Sequence, residues 1–408
     1  MNTHQESKPM NSQELSFYTL GIAPSILNIL DRLKFTTPTQ IQQQAIPIGI
    51  EGKDVMGIAQ TGTGKTLAFG IPMVQRLAQI KGRGLVLVPT RELAIQVDEN
   101  LRKITPALGI KTAVLIGGDP MGKQVHALRA NPRIIIATPG RLIDHLQQKT
   151  IRLNDAHIVV LDEADRMLDM GFAPQIKDVL RQVPADRQTM LFSATMPQEI
   201  LGIAQTYMKL PIRIEISCPG TAVAKITQEL FIVRKELKNE LLGSVLAQYH
   251  GPVLIFARTK FGAARLVKTI RGIRHSAAEI HSDRSLSQRR EALDGFKAGK
   301  YRVLVATDIA SRGIDVKGIE VVINYDLPDD PENYVHRIGR TGRAGHAGHA
   351  ISFATPDQRS DISNIERVMN TKLPIASSHP TVRLEQFSKP QVVFRSSSRR
   401  FSTHRHRR

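Results

Sequence analysis

A glycine-rich segment near residue 60 has the residue types that bind a phosphate chain. It follows a short apolar run and precedes a helical pattern. Glycines allow backbone N–H groups to face phosphate oxygens, and the N-terminus of the following helix attracts the same anion. Lys65 would reach the β- and γ-phosphates, and the Thr66 hydroxyl would bind Mg²⁺. The segment therefore predicts a P-loop, although alanine stands where the general pattern begins with glycine. Its residues are Ala59, Gln60, Thr61, Gly62, Thr63, Gly64, Lys65 and Thr66.

An acidic pair follows the apolar run at residues 158–161. Besides the P-loop hydroxyl, a P-loop enzyme requires a carboxylate on the metal side, at the end of a neighbouring strand. Asp162 would hold the metal, directly or through water, and Glu163 would polarise the attacking water as a general base. An isolated acidic cluster is usually a solvated loop, but its place after an apolar strand in a chain with a P-loop favours nucleotide hydrolysis.

Short apolar runs alternate with helical patterns along the chain, and they would position these loops at strand ends. Continuous apolar runs predict strands that are covered on both faces. Alternation with helical segments at 122–130 and 174–183 predicts βαβ units and parallel sheets. The runs lie at residues 54–58, 85–88, 134–137, 158–161, 190–192, 253–256, 303–306, 321–323 and 350–353.

The alternation breaks near the middle of the chain, at Pro211, Pro219 and Gly220. We therefore predict an α/β fold with two tandem domains, at residues 15–210 and 227–370, joined by a linker at 211–226. A basic tail at 371–408 is expected to be largely disordered, because its last part, 394–408, is rich in Arg, Ser and His and has no acidic residue. Two hypotheses remain for residues 394–408: they contact phosphates without sequence preference, or they form a solvated tail.

The formal net charge of +19 favours a polyanionic partner. Nucleic acid and a membrane surface both fit this charge, so the motifs must decide between them. The chain has no run of 18 apolar residues and no signal-peptide pattern at its start, and its one cysteine excludes an intramolecular disulfide. These features leave a cytosolic or nuclear protein, and together with the motifs described below we expect a cytoplasmic protein without a membrane partner.

The tetrapeptide Asp162-Glu163-Ala164-Asp165 resembles the motif that names the DEAD-box RNA helicases, and motif order supports the resemblance from about residue 17 to 345. With its compact core and short basic tail, the chain looks most like bacterial members. The resemblance implies two RecA-like domains, each a parallel sheet with helices on both faces. Residues 38–42 resemble the adenine-reading motif, so that Gln42 would bind adenine while Phe17 or Phe35 lies against the base or supports it. Lys34 and Gln40 depart from the usual pattern.

The resemblance also assigns residues of the first domain to RNA and to coupling. The RNA face implied by the resemblance comprises Arg91, Gly117, Gly118, Thr138 and Arg141. Arginines can grip phosphates, and glycines permit close approach of the backbone. The resemblance also implies that Ser193 and Thr195 couple hydrolysis to strand separation. Their hydroxyls could hydrogen-bond the loop that carries Asp165.

In the second domain, the resemblance implies RNA contacts by Arg258, Arg289 and Thr307, and an approach of Asp315 to the ATP ribose. Ser282 and Leu286 depart from the family pattern around Arg289. Two further roles follow from the resemblance of residues 336–343. Arginine fingers on the γ-phosphate would be Arg340 and Arg343, and the residues linking the two domains would be His336 and Arg337.

The resemblance implies an ATP-dependent RNA helicase, an RNA-stimulated ATPase that uses ATP and Mg²⁺. Domain closure would unwind short RNA duplexes locally or remodel RNA–protein complexes, with little sequence preference. Ribosomal and RNA-decay complexes are candidate partners. Three alternatives remain open. These are a translocating DNA helicase or other two-domain P-loop motor, an ATP-gated RNA clamp or annealing scaffold, and an RNA-binding module with a vestigial P-loop.

Overall fold

Two parallel β-sheets, each flanked by helices, make up the structure. The structure is a computed structural model. The residues that it describes are 16–60, 62–216, 226–308, 316, 318–342, 348–377, 379 and 382–386.

The first sheet has seven strands in the order β3-β4-β2-β5-β6-β1-β7, and all of its pairs are parallel. This order places β1, β5 and β6 side by side, so the loops that follow these three strands meet at one edge of the sheet. The strands are β1 (Val55–Ile58), β2 (Arg83–Leu87), β3 (Thr112–Leu115), β4 (Ile134–Ala137), β5 (Ala156–Asp162), β6 (Gln188–Ser193) and β7 (Ile212–Glu215).

Helices cover both faces of the first sheet and form two separate cores. Along β2, Val86 faces one core and Leu85 and Leu87 face the other, which explains the unbroken apolar runs. Burial of each such side chain contributes about 1.5–3 kcal/mol. The helices are α1 (Pro24–Arg32), α2 (Gln40–Ile50), α3 (Lys65–Gln79), α4 (Arg91–Ile104), α5 (Met121–Arg129), α6 (Pro139–Gln147), α7 (Ala164–Asp169), α8 (Ala173–Gln182) and α9 (Gln198–Tyr207), with 3-10 helices at Phe17–Thr19 and Thr105–Leu108.

The second sheet has six parallel strands in the order β10-β11-β9-β12-β13-β8. Its strands are β8 (Ile226–Ile232), β9 (Val253–Phe256), β10 (Ala277–Ile280), β11 (Val303–Ala306), β12 (Val321–Asn324) and β13 (Gly348–Ala354). Its helices are α10 (Lys238–Gln248), α11 (Lys260–Gly272), α12 (Leu286–Lys297), α13 (Pro331–Ile338) and α14 (Arg359–Met369), with a 3-10 helix at Lys235–Leu237.

The predicted α/β class with parallel sheets is confirmed. The predicted linker at 211–226 needs correction at both ends, because β7 lies within it and Ile226 already begins β8. In β7 only Ile214 is buried, so the strand lacks the continuous apolar run that marks the inner strands. The linker residues 217–225 lie outside the described part of the chain. The predicted domain bounds stay a prediction.

The start of the predicted tail at 371–408 packs against the second sheet. The Leu230 N–H donates to the Pro374 carbonyl at 2.9 Å, and the Ala376 N–H donates to the Leu230 carbonyl at 2.9 Å. Leu373 and Val382 are buried. This segment covers β8, an edge strand whose outer backbone groups need partners. Residues 387–408, and with them the predicted phosphate-contacting or solvated end, lie outside the described residues.

Within the described residues, no helix combines the length and apolar character needed to cross a bilayer.

Candidate active site

The predicted P-loop connects the end of β1 to the start of α3. Gly62 and Gly64 have φ values of +87° and +91°, in the left-handed region that favours glycine. A side chain at Gly64 would also be crowded, because an added Cβ would lie 2.4 Å from Gln42 Nε2. Lys65 is buried, and its Nζ donates to the Ala59 carbonyl across the loop at 3.0 Å. The Lys65 ammonium group thus bridges the two ends of the loop.

Thr63 and Gln60 close the same loop, since the Thr63 hydroxyl donates to the Gln60 carbonyl at 2.7 Å. Thr61 lies outside the described residues. Thr66 is the second residue of α3, next to Lys65 at the helix N-terminus.

Gln42 is buried and its amide is directed at the P-loop. Its Nε2 donates to the Gly64 carbonyl at 3.0 Å, and its Oε1 accepts from the Thr39 N–H at 2.9 Å. An amide can make four hydrogen bonds, so donor and acceptor capacity remain for a base. Phe17 is buried in the core beneath, whereas Phe35 is 39% exposed. Contact of these residues with adenine stays a prediction.

The acidic pair ends β5 and begins α7. Asp162 is 3% exposed, and burial raises its pKa to about 6 despite the nearby Lys65 cation. Burial also acts to raise the pKa of Glu163, but the cations of Arg166, Lys65 and Arg340 outweigh it and lower the pKa to about 2. Glu163 is therefore an anion at neutral pH.

Arg166 orients Glu163 through an ion pair of 2.7 Å between Arg166 Nη1 and Glu163 Oε2, with both side chains buried. The other carboxylate oxygen, Oε1, is buried and has no hydrogen-bond partner among the described residues. An unpaired buried acceptor of this kind is costly unless a ligand or water completes it. Its place in the site suits a group that binds the attacking water.

Mg²⁺ fits this donor set. The described residues contain no group of three or more His, Cys, Asp or Glu that could hold a metal ion. A nucleotide-bound Mg²⁺ does not need such a group, because it takes one or two protein oxygens and completes its shell with phosphates and waters. A buried carboxylate at Asp162 and a hydroxyl at Thr66 are protein oxygens of that type.

Asp165 ties the acidic loop to the residues that follow β6. Its Oδ2 accepts from the Ala194 N–H at 3.0 Å, the Thr195 N–H at 2.8 Å and the Thr195 hydroxyl at 3.2 Å. The Asp165 N–H donates to the Ser193 hydroxyl oxygen at 3.1 Å. The structure thus brings together the residues predicted to couple hydrolysis to strand separation; the coupling itself stays a prediction.

Residues from α13 and the turn after it complete the cleft. A cavity of about 230 Å³ is lined by Gln60 and Thr195 from the first part of the chain and by His336 and Arg340 from the second. Arg340 is 3% exposed and follows α13. Burial, reinforced by Arg166, lowers the pKa of His336 to about 4, so the imidazole is neutral at pH 7. Two predicted site residues, Arg343 and Asp315, lie outside the described residues.

Arg337 was predicted to link the two domains, and the structure corrects this. Its guanidinium forms two hydrogen bonds with Asp308, at 2.6 and 2.7 Å, and stacks 4.9 Å from the Phe256 ring centre. It also donates to Asn324 Oδ1 and to the Asp326 carbonyl. These partners all belong to the second sheet and its loops. Arg337 is 2% exposed and stabilises the second core, whereas His336 and Arg340 face the cleft.

A second cavity, of about 350 Å³, collects predicted RNA-contacting residues. Arg91 covers the glycine pair, since a Cβ added at Gly118 would lie 2.3 Å from Arg91 Nη1. Glycine at this position has a φ of +83°. Residues of both parts of the chain line the cavity, among them Arg91, Gly117, Thr138, Arg141, Ser282 and Arg289.

Arg289 reaches the first part of the chain directly. Its Nη2 lies 2.9 Å from Glu92 Oε2, with side chains 11% and 4% exposed. Leu286 packs against the first core nearby. Arg258 and Thr307 lie after β9 and β11 and do not line this cavity. Arg258 pairs with Asp329 at 3.2 Å.

Sequence reasoning missed three buried residues that neighbour the predicted site residues: Arg166, Gln124 and His145. Arg166 directly follows the acidic tetrapeptide, and its spacing of three from Glu163 on a helix is a usable signal. No sequence pattern distinguishes Gln124 or His145, because their partners lie on other elements.

The fold and the site define a two-domain P-loop protein whose catalytic cleft is lined by both halves. The model of the DEAD/DEAH box helicases matches residues 39–203, and that of the helicase conserved C-terminal domain matches 234–345. The DEAD-box ATP-dependent RNA helicase CshA of Bacillus subtilis is 43% identical over 88% of this chain and 73% of its own length. The chain belongs to the DEAD-box family of ATP-dependent RNA helicases.

Solved structures agree with this assignment. Dbp5 of S. cerevisiae bound to RNA and ADP BeF3 has a TM-score of 0.79 and 31% identity, over 88% of this chain and 96% of its own. The DEAD-box helicase Mss116 bound to ssRNA and UDP-BeF has a TM-score of 0.82 and 26% identity, over 89% of this chain and 79% of its own. The predicted family and enzyme class are confirmed.

Proposed function

We propose that this enzyme hydrolyses ATP in a cleft that closes around RNA, and that closure unwinds short duplexes locally or remodels RNA–protein complexes. The observation that carries the proposal is the cavity that Gln60 and Thr195 share with His336 and Arg340. Because the catalytic groups come from two domains, neither half can complete the site alone. Arginine fingers contribute about 10³–10⁵ in rate in other P-loop enzymes, so turnover should be slow until the cleft closes.

The proposed roles of the residues are supported by their geometry. Lys65 binds the β- and γ-phosphates, and Glu163, held by Arg166, accepts the proton of the attacking water. Arg340 stabilises the charge that develops on the γ-phosphate. Asp162 and Thr66 would hold Mg²⁺, which neutralises phosphate charge when bound. In this proposal Arg343 is a second finger and Asp315 contacts the ribose.

RNA binding is proposed for the face that contains the cavity around Arg91 and Arg289. Basic side chains and a glycine pair with exposed backbone suit phosphate contacts rather than base reading. The relatives Dbp5 and Mss116 were solved with RNA or ssRNA bound. Because RNA and ATP would both bind across the cleft, each should raise the affinity for the other.

The organisation and context of the protein belong to the same proposal. The part of the chain that ends with β7 and the part that begins with β8 act as the two moving domains. RNA is the partner, with ribosomal or RNA-decay complexes as its setting and the cytoplasm as its location. The net charge of +19 supports a polyanionic partner.

The test compares ATP turnover with single-stranded RNA, with DNA of the same sequence, and without nucleic acid, beside displacement of a short labelled RNA strand. We expect stimulation by RNA alone, and strand displacement that requires ATP. Lys65→Ala should abolish both activities, because the phosphate ligand is lost. Equal stimulation by DNA would favour a DNA motor, and ATP-dependent binding without displacement would favour a clamp.

A further inference from the structure

The loop that carries the glycine pair is held from beneath by a buried amide on α5. Gln124 is 3% exposed. Its Nε2 donates to the Ile116 carbonyl at 2.9 Å and to the Asp119 carbonyl at 3.1 Å, and its Oε1 accepts from the Ile116 N–H at 3.2 Å. One side chain therefore fixes both ends of the segment that contains Gly117 and Gly118.

A buried histidine fixes the amide in turn. His145 on α6 is fully buried, with its Nε2 3.1 Å from Gln124 Oε1 and its Nδ1 2.7 Å from the Thr150 hydroxyl. The amide cannot be flipped, because two carbonyls need its N–H groups and the Ile116 N–H needs its oxygen. A neutral His145 therefore carries its proton on Nε2 and donates to Gln124 Oε1. Its Nδ1 is left as an acceptor 2.7 Å from the Thr150 hydroxyl, which also lies 3.1 Å from the His145 carbonyl. All four hydrogen-bonding positions of the Gln124 amide are then used.

Two arginines complete the framework from the open side. Arg141 Nη1 donates to the Asp119 carbonyl at 2.9 Å, and the Arg91 guanidinium lies against both glycines. Gly118 has a φ of +83°. Because glycine has no β-carbon, its backbone is not restricted to this conformation. The turn thus depends on outside groups for its shape.

We propose that Gln124, oriented by His145, is a positioning residue that holds the Gly117–Gly118 turn in the shape that binds an RNA phosphate. Neither side chain touches RNA. They act by fixing the backbone N–H groups in advance, so that binding does not have to order the turn. This inference rests on the proposed RNA function of the face around Arg91.

Gln124→Met keeps the side-chain length and removes all four hydrogen bonds. We expect the KM for single-stranded RNA in the ATPase assay to rise about tenfold, with the KM for ATP and the RNA-free ATPase rate unchanged. The matched control is Gln75→Met. Gln75 ties down another loop in the same way, through the Ala23 N–H at 2.8 Å and the Gly21 carbonyl at 3.0 Å. It should leave the KM for RNA at the wild-type value.

A second pair of variants tests the histidine without touching the loop. His145→Gln keeps an N–H donor near the Nε2 position, whereas His145→Leu removes it. We expect His145→Leu to raise the KM for RNA severalfold and His145→Gln to recover most of that loss. A purely structural role would change thermal unfolding in both variants without separating their KM values for RNA.

Gly118→Val disrupts the turn itself, so it tests the proposed RNA face separately from the proposed role of Gln124. An unchanged KM for RNA in Gly118→Val would overturn the proposed RNA face and this inference with it. A raised KM in Gly118→Val beside an unchanged KM in Gln124→Met and His145→Leu would overturn the inference alone.

Discussion

At the scale of single residues, the site combines a carboxylate kept ionised with one whose pKa is raised. Glu163 holds a pKa of about 2 because three cations outweigh its burial, and Asp162 reaches about 6. Neighbouring carboxyl groups with widely different pKa values are a common arrangement in hydrolytic sites. Glu163 is therefore ionised at neutral pH and can accept a hydrogen bond from the attacking water.

Glu163→Gln should lower ATP turnover by about 10²–10⁴-fold, because the amide cannot accept the proton. Nucleotide binding should persist, since Lys65 is untouched, so a complex with ATP and RNA should accumulate. Turnover and retention of labelled ATP on RNA-bound enzyme measure the two effects. Glu332→Gln is the control, an acid lining the same cavity without a place in the chemistry. Wild-type turnover in Glu163→Gln would reject the assigned base.

We expect His336 to make the proposed closure depend on pH. Burial lowers its pKa from 6.5 to about 4, and the nearby Arg166 and Arg340 cations act in the same direction. The closed form therefore binds fewer protons than a form that exposes the ring. Closure should weaken as the pH falls from about 6.5 toward 4.

This prediction is tested by measuring the affinity for labelled RNA with AMP-PNP between about pH 6.5 and pH 4. Other groups also titrate there, so the informative quantity is the difference between wild type and His336→Gln. We expect the variant to lose less affinity than wild type on acidification. Parallel profiles would show that His336 does not control closure.

Sequence reasoning found the residues that form continuous motifs, such as Lys65 and Glu163, because their chemistry and order are visible in one dimension. It misassigned Arg337, which shares a motif with Arg340. Arg337 lies on α13 and points into its own core at Asp308, whereas Arg340 follows the helix end and faces the cleft. Which arginine faces which side depends on where the helix ends, and the spacing alone does not reveal that.

At the scale of elements, the predicted strands are the inner strands of both sheets. The strands that were missed are the four edge strands β3, β7, β8 and β10. An inner strand packs a helix layer on each face and reads as a continuous apolar run, as in residues 134–137. An edge strand is partly exposed and keeps polar residues, such as Thr112 in β3 and Glu279 in β10. The edge strands were therefore missed because they lack the continuous apolar run by which the inner strands were predicted.

Truncation after residue 370 should destabilise the second domain, because it uncovers β8 and removes the buried side chains of Leu373 and Val382. Two such side chains contribute several kcal/mol, roughly 3–6. We expect the Tm to fall by about 5 °C or more, with association of the exposed edges at high concentration. Truncation after residue 386 is the control and should keep the Tm. Equal Tm values for the two truncations would mean that the segment does not cover the edge.

At the scale of the whole molecule, the two halves meet through an ion pair as well as through the nucleotide cleft. Glu92 and Arg289 are both largely buried at 2.9 Å, and a buried pair is costly to break from one side. In the proposed closure, this pair would form as the two halves come together.

Charge reversal tests this contact. Glu92→Arg should weaken RNA binding with AMP-PNP about a hundredfold, since it places cations together beside Arg91. The double variant with Arg289→Glu should recover a substantial part of that loss. Fluorescence anisotropy on the wild type, both single variants and the double variant yields the coupling between the two residues. Additive losses would mean that the two side chains do not interact on closure.

The placement of β7 and β8 has one more consequence. The first sheet ends in the chain with β7 and the second begins with β8, and both are edge strands, so a break between residues 216 and 226 would interrupt no strand pair that the described residues contain. Two separate polypeptides made this way would each keep a whole sheet, and nucleotide with RNA would join them. The helicase would then work as a split sensor, in which reassembly of the two pieces reports both ligands at once.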